Sequence, residues 1–193
     1  MRHNINIEGA AFRLRPVTEA DAAAIIDLRS DPQRSRFLHS ISSRVEDQLL
    51  WLEKYFQRDH DFYFAVERVR DGRFEGTTSL YDISDGRALF GRWVLRHDSL
   101  AAAESVLLSY SVGFEILQLK LIYTLAVSNN DAVLSFHDNS GLRRVKEIKN
   151  AFILDHGPAD AIEHNVSLEE WPSVKARLTA QAEKVAKLIN RQR

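Results

Sequence analysis

Asn130 and His137 stand in the stretch LIYTLAVSNNDAVLSFHDNSGLRR, Leu121–Arg144, where a strand-like run gives way to a short helix. An imidazole can donate or accept a proton, and its ordinary pKa of about 6.5 leaves only part of it charged at neutral pH. Asn130 follows a strand and precedes Asp131, so it is a helix cap first. His137, next to Asp138, reads either as a proton-handling group or as a solvated helix residue. Other chemistry is sparse. There are 0 cysteines, which excludes disulfides, thiolate metal sites and a cysteine nucleophile. His3, His60, His97 and His164 show no metal-ligand spacing with carboxylates, so no metal is expected.

The elements that must position Asn130 and His137 can be read in order. Leu121–Val127 is a buried strand by its apolar, β-branched run. Ser128-Asn129-Asn130 stops it, and Asn139-Ser140-Gly141 ends the helix with a left-handed signal. Upstream, Phe12–Val17 alternates apolar and basic residues as a first strand. Thr18 with Asp21, and Ser43 with Glu46, have capping-box spacing. Phe62–Val69, Phe74–Tyr81 and Ala88–Leu95 read as an antiparallel meander, turned at Asp71-Gly72 and Asp85-Gly86. A long helix is expected over Leu100–Leu117. Arg143–Leu154 and Ala161–Val166 read as the last strands. Leu168–Gln192 is a charged helix with a narrow stripe of Val174, Leu178, Val185 and Leu188.

The chain has 193 residues, 45% of them hydrophobic, enough for one domain with its own core. A formal net charge of -1 argues against nucleic-acid binding by bulk charge. No apolar run approaches the roughly 20 residues of a membrane span, and MRHNINIEGAAF lacks a secretory apolar region. A cytoplasmic protein without membrane attachment is expected.

From about Phe12 to Val166 this order of elements resembles the GNAT acyl-CoA N-acyltransferases. Asn130, then His137 where a tyrosine usually stands, then Gly141-Leu142 match the family's helix and turn. Arg29-Ser30-Asp31-Pro32 resembles an element of the branches that acylate nucleotide-linked amino sugars and ribosomal-protein N-termini. The resemblance implies an α/β (α+β) fold: a mixed, mostly antiparallel sheet with splayed central strands, helices on both faces and a C-terminal helix. Residues 1–166 would form the acyltransferase domain and 167–193 its helical extension.

It also implies a site with acetyl-CoA as co-substrate. The backbone of Trp93, Val94 and Leu95 would pair with the pantetheine amides. The turn Arg96, Ser99, Leu100, Ala101 and Ala102 would face the pyrophosphate at a helix start, although Ser99 replaces the family's glycine and Asp98 brings a negative charge. Asn130 and Phe136 complete the cofactor contacts, and His137 would protonate the departing thiolate. Arg29, Tyr81 and Asp82 would border the acceptor. Each also has a plain structural role: Arg29 as a helix-end residue paired with Asp31, Tyr81 and Trp93 as core aromatics, Asp82 as a turn residue. Many members carry a glutamate base on the third meander strand. Leu89 stands there here, so a water chain, Asp82 or His39 would take the proton.

The activity implied is acetyl transfer to a nucleotide-linked amino sugar, with peptide N-terminal acetylation and a non-catalytic CoA- or nucleotide-binding module as competing readings. A homodimer would suit any of them.

Overall fold

A short hairpin comes first, in which Phe12 and Leu14 turn into the core and Arg13 between them turns out. The computed structural model describes residues 2–191. Here β1 (Ile7–Glu8) pairs antiparallel with β2 (Phe12–Pro16). Thr18 and Asp21 form their reciprocal capping box around a 3-10 turn, Glu19–Asp21, that runs into α1 (Ala22–Ser30). Asp31 then accepts the Gln33 N–H at 2.8 Å, and Pro32 opens the one-turn α2 (Pro32–Ser35), where a missing N–H is harmless. The N-cap of α3 (Val45–Phe56) is Arg44, not Ser43. Ser42 accepts the Arg44 N–H at 3.2 Å and bonds Asp47, so the cap signal lies one residue away from the expected one.

The meander is β3 (Phe62–Arg68), β4 (Phe74–Ser84) and β5 (Arg87–Leu95). Next, α4 (Ala102–Ser111) begins two residues later than the pattern indicates and passes into a π-helical turn, Val112–Ile116. β6 (Leu121–Val127), α5 (Asp131–Ser140), β7 (Arg143–Leu154), β8 (Gly157–Ser167) and α6 (Trp171–Arg191) follow. β8 starts before the apolar run at Ala161 because its polar end still pairs with β7, Leu154 opposite Gly157.

The eight strands form one sheet in the order β1-β2-β3-β4-β5-β6-β8-β7. The β5–β6 pair is parallel and the others are antiparallel. Parallel neighbours need a crossover, which α4 provides. β5 and β6 pair only from Arg87–Phe90 against Leu121–Thr124. Beyond that, Gly91–Leu95 stays with β4 while Leu125–Val127 stays with β8. The strands part and leave a wedge with unpaired backbone.

β5 is also bulged. Thr77 faces Val94 while Ser79 faces Gly91, so β5 carries one extra residue. Arg92 absorbs it at a φ of 47°, and the Thr77 hydroxyl donates to its carbonyl at 2.8 Å. Bulges of this kind re-aim side chains.

One apolar core runs from Phe12, Leu14 and Phe64 through Phe90 and Ile122 to Trp171, Val174 and Leu178. α6 is therefore packed and not loosely attached, with Trp171 stacked on Phe114 at 5.3 Å. Its buried face continues through Ala182, Ala186 and Ile189, while Leu188, expected in the stripe, is exposed. No helix among the described residues is long and apolar enough to cross a membrane.

Candidate active site

The wedge opens into a cleft of about 710 Å³. Trp93, Val94 and Leu95 form its floor, and α5 gives one wall through Asn130, Val133 and Phe136. The segment from Pro32 to Leu38 gives the other, and Arg96, Ser99 and Ala102 close the end. Eight of the residues read as cofactor contacts thus meet here. Ala101, fully buried beneath the start of α4, and Leu100, 48% exposed, do not line the cleft.

The glycine-free turn is held by its own hydrogen bonds. Arg96 N–H donates to the Glu75 carbonyl at 2.8 Å and Ser99 N–H to the Arg96 carbonyl at 3.1 Å. The Ser99 hydroxyl accepts the Ala101 N–H at 3.2 Å. Asp98 is drawn away by Arg73 at 2.6 Å, with Arg96 at 3.6 Å. The Arg73 bond holds its carboxyl below the ordinary range. Glu104, in the first turn of α4, also faces away from the cleft and accepts the Ala11 N–H at 3.1 Å. No carboxylate lines the cleft among the described residues, and the arginines and small alanine there fit a phosphate-bearing acyl carrier.

Behind Trp93 and Asn130 lies a second cavity of about 230 Å³, lined by Arg29, His39, Tyr81, Arg92 and His137 among others. Phe37, Leu38, Trp93, Asn130 and Val133 border both spaces. Asp31 does not pair with Arg29, which donates instead to the His39 carbonyl at 2.9 Å. The Arg29 Nε is buried with no hydrogen-bond partner, no carboxylate lines the cavity among the described residues, and burial pushes the pKa of Arg29 down. Asp82 lies outside both spaces, exposed in a kink of β4 with a φ of 52°.

Arg92 was not legible from spacing. Both of its terminal nitrogens bond Asp61, at 2.5 and 2.9 Å, and its guanidinium lies 4.2 Å from the Tyr81 ring centroid. Burial opposes its charge, but Asp61 more than offsets this and raises its pKa. Tyr81 in turn covers Gly91, where a Cβ would come 2.8 Å from the Tyr81 hydroxyl. An arginine among Phe90, Gly91 and Trp93 in β5, with an acid just before β3, two strands away in the sheet, was the available signal. Arg34 and Arg36 were missed as well, and both line the larger cleft.

His137 is 1% exposed, so it is not a solvated helix residue. Its ring packs on Trp93 at 5.8 Å, Phe136 at 5.7 Å and His164 at 5.3 Å. Burial, and then His164, pull its pKa down to about 3, so the ring is neutral near pH 7. Asp138 turns away to His164 Nε2 at 2.9 Å and Arg144 at 2.6 Å. Asn130 caps α5, and Gly141 ends it with a φ of 88°, so the helix that carries His137 is fixed at both ends. Trp93 donates from Nε1 to the Ser105 hydroxyl at 3.0 Å, tying the shared wall of the two spaces to α4. No group of histidines and carboxylates that could hold a metal ion occurs among the described residues.

A family model described as Acetyltransferase (GNAT) domain matches residues 12–143, more than half of the chain. Among solved structures, the chain is similar to apo FdhC, a nucleotide-linked sugar GNAT, with 27% identity and a TM-score of 0.77 over 92% of this chain and 99% of that one. A GCN5-related N-acetyltransferase from Brucella melitensis shares the fold at 20% identity and a TM-score of 0.79, over 93% and 86% of the two chains. So does the ribosomal-protein-S5-alanine acetyltransferase from Vibrio fischeri, at 17% identity and a TM-score of 0.72, over 87% and 99%. No curated protein matches the sequence.

Proposed function

We propose, on the premise that this chain belongs to the GNAT acetyltransferase family, that it transfers an acetyl group from acetyl-CoA to the amino group of a nucleotide-linked amino sugar. The observation that carries the acceptor class is Arg29. Its guanidinium lines the smaller cavity with an orphaned Nε and no carboxylate in the lining. A cation with a buried, unbonded nitrogen and no carboxylate partner is costly, and a diphosphate relieves that cost through charge-assisted hydrogen bonds. A polyamine would set like charge against it. A cavity of about 230 Å³ favours one sugar ring over a protein N-terminus. The similarity to a nucleotide-linked sugar GNAT supports the same class.

Acetyl-CoA, when bound, supplies a thioester carbonyl to the attacking amine. The unpaired backbone of Val94 and Leu95 suits its pantetheine amides as an added strand, with Asn130 beside them. The amine must be neutral to attack, and Arg29 favours that form, because a nearby cation lowers the pKa of an ammonium. With no carboxylate in the lining, water or His39 carries the proton away. His137 acts as a neutral donor: a neutral imidazole keeps one N–H, which hydrogen-bonds the departing sulfur.

Steady-state kinetics of Arg29→Gln test the reading. A charged hydrogen bond is worth about 1.5–3 kcal/mol, so KM for the nucleotide-linked amino sugar should rise about tenfold or more, while CoA affinity stays within about twofold. An unchanged acceptor KM removes Arg29 and the acceptor class with it.

A further inference from the structure

Three arginines fall between residues 29 and 36, and none of them has a carboxylate partner among the described residues: Arg29, Arg34 and Arg36. Most other arginines near the site are paired, Arg73 and Arg96 to Asp98 and Arg92 to Asp61. Asp31, the acid closest in sequence, is occupied as the cap of α2. Arg34 and Arg36 line the larger cleft together with Arg96 and Ser99. The Arg34 Nε is buried without a hydrogen-bond partner, and the Arg36 guanidinium lies 4.5 Å from the Phe37 ring centroid.

The turn that closes the end of the cleft explains the need for them. A loop that cradles phosphate does so with free backbone N–H groups. Here the N–H groups of Arg96, Ser99 and Ala101 are already bonded inside the protein. The backbone cradle is therefore depleted, while two unpaired guanidiniums face the same space. Guanidinium forks match phosphate oxygens and keep their charge at all working pH values.

We infer that Arg34 and Arg36 form a side-chain phosphate clamp for the acyl carrier, replacing much of the backbone grip that the glycine-free turn has lost. The inference rests on the acyltransferase reading, because the phosphates are those of CoA.

Calorimetric titration of the full chain with CoA and with 3′-dephospho-CoA tests it, using wild type, Arg34→Gln, Arg36→Gln and the double variant. The double variant should bind CoA about a hundredfold more weakly, as expected for two charged hydrogen-bonding groups. Its affinity should also depend less steeply on salt. Ligand-free melting temperatures should match wild type, because neither side chain has an ion-pair partner to lose. Equal losses for both ligands assign the clamp to the pyrophosphate, and a loss confined to CoA assigns it to the 3′-phosphate. A double variant that binds CoA within twofold of wild type overturns the clamp alone. A folded wild type that binds neither ligand overturns the clamp together with the acyltransferase reading.

Discussion

Asp61 holds Arg92 by both carboxylate oxygens, at 2.5 and 2.9 Å, beneath the ring of Tyr81. The pair joins the first residue before β3 to the bulge of β5. It fixes an arginine in a left-handed backbone conformation, φ 47°, that a non-glycine residue rarely adopts. Asp61 is 5% exposed and the Arg92 side chain 16%, so removing the Asp61 charge leaves a largely buried guanidinium without its carboxylate. Asp61→Asn should destabilise the fold by about 3 kcal/mol, read as a lower urea midpoint. A midpoint equal to wild type would mean that water already solvates Arg92.

Tyr81 depends on the absence of a side chain beneath it. A Cβ on Gly91 would meet the Tyr81 hydroxyl at 2.8 Å, so Gly91→Ala must displace the ring, which lines the smaller cavity. A displacement near 1 Å can cost about a hundredfold in rate. We expect kcat/KM for the acceptor to fall about tenfold or more with CoA affinity unchanged. Equal losses in both would place Tyr81 in the donor cleft instead.

His137 gives a pH signature in stability. Its pKa is about 6.5 in an unfolded chain and about 3 in the fold. Between those values the unfolded state binds the extra proton, so the contribution of His137 is complete above pH 6.5. It is lost as pH falls towards 3, by up to about 1.4 kcal/mol per pH unit. Urea unfolding of wild type and His137→Phe from pH 7 to pH 4 should give diverging slopes, with wild type the steeper. Parallel curves would show that His137 is solvated. Catalysis should correspondingly show no inflection near pH 6.5 that disappears with His137→Phe.

The buried face of α6 separates two leucines. Leu178 is 0% exposed and Leu188 is 53% exposed. Leu178→Ala should cost about 3 kcal/mol and Leu188→Ala under about 0.5 kcal/mol in denaturant melts. Similar costs at the two positions would mean that Leu188 is covered in solution.

The order of strands and helices was legible because each has its own local signal. The run Leu121–Val127, the Asn130 cap and the Gly141 stop marked β6 and α5 to the residue. The buried face at the end of α6 was misread, because it runs through Ala182 and Ala186, which carry little hydrophobic signal, to Ile189 and not to Leu188. At the site, the residues of the β5 floor and the α5 wall were readable from family-like spacing. Arg92 was not, because strand alternation places it with Phe90 and Val94, and only the bulge re-aims it. The burial of His137 was hidden too. Asp138 beside it suggests a solvated face, but that carboxylate turns to His164 and Arg144, partners distant in sequence.

The most direct test of the central claim is thiol release from acetyl-CoA by the full chain, measured with nucleotide-linked amino sugars, free amino sugars, a polyamine and an alanine-ended peptide. Arg29 predicts turnover with the nucleotide-linked amino sugars and little with the same sugars lacking the diphosphate. Turnover with the polyamine or the peptide, and none with the nucleotide-linked sugars, would contradict it.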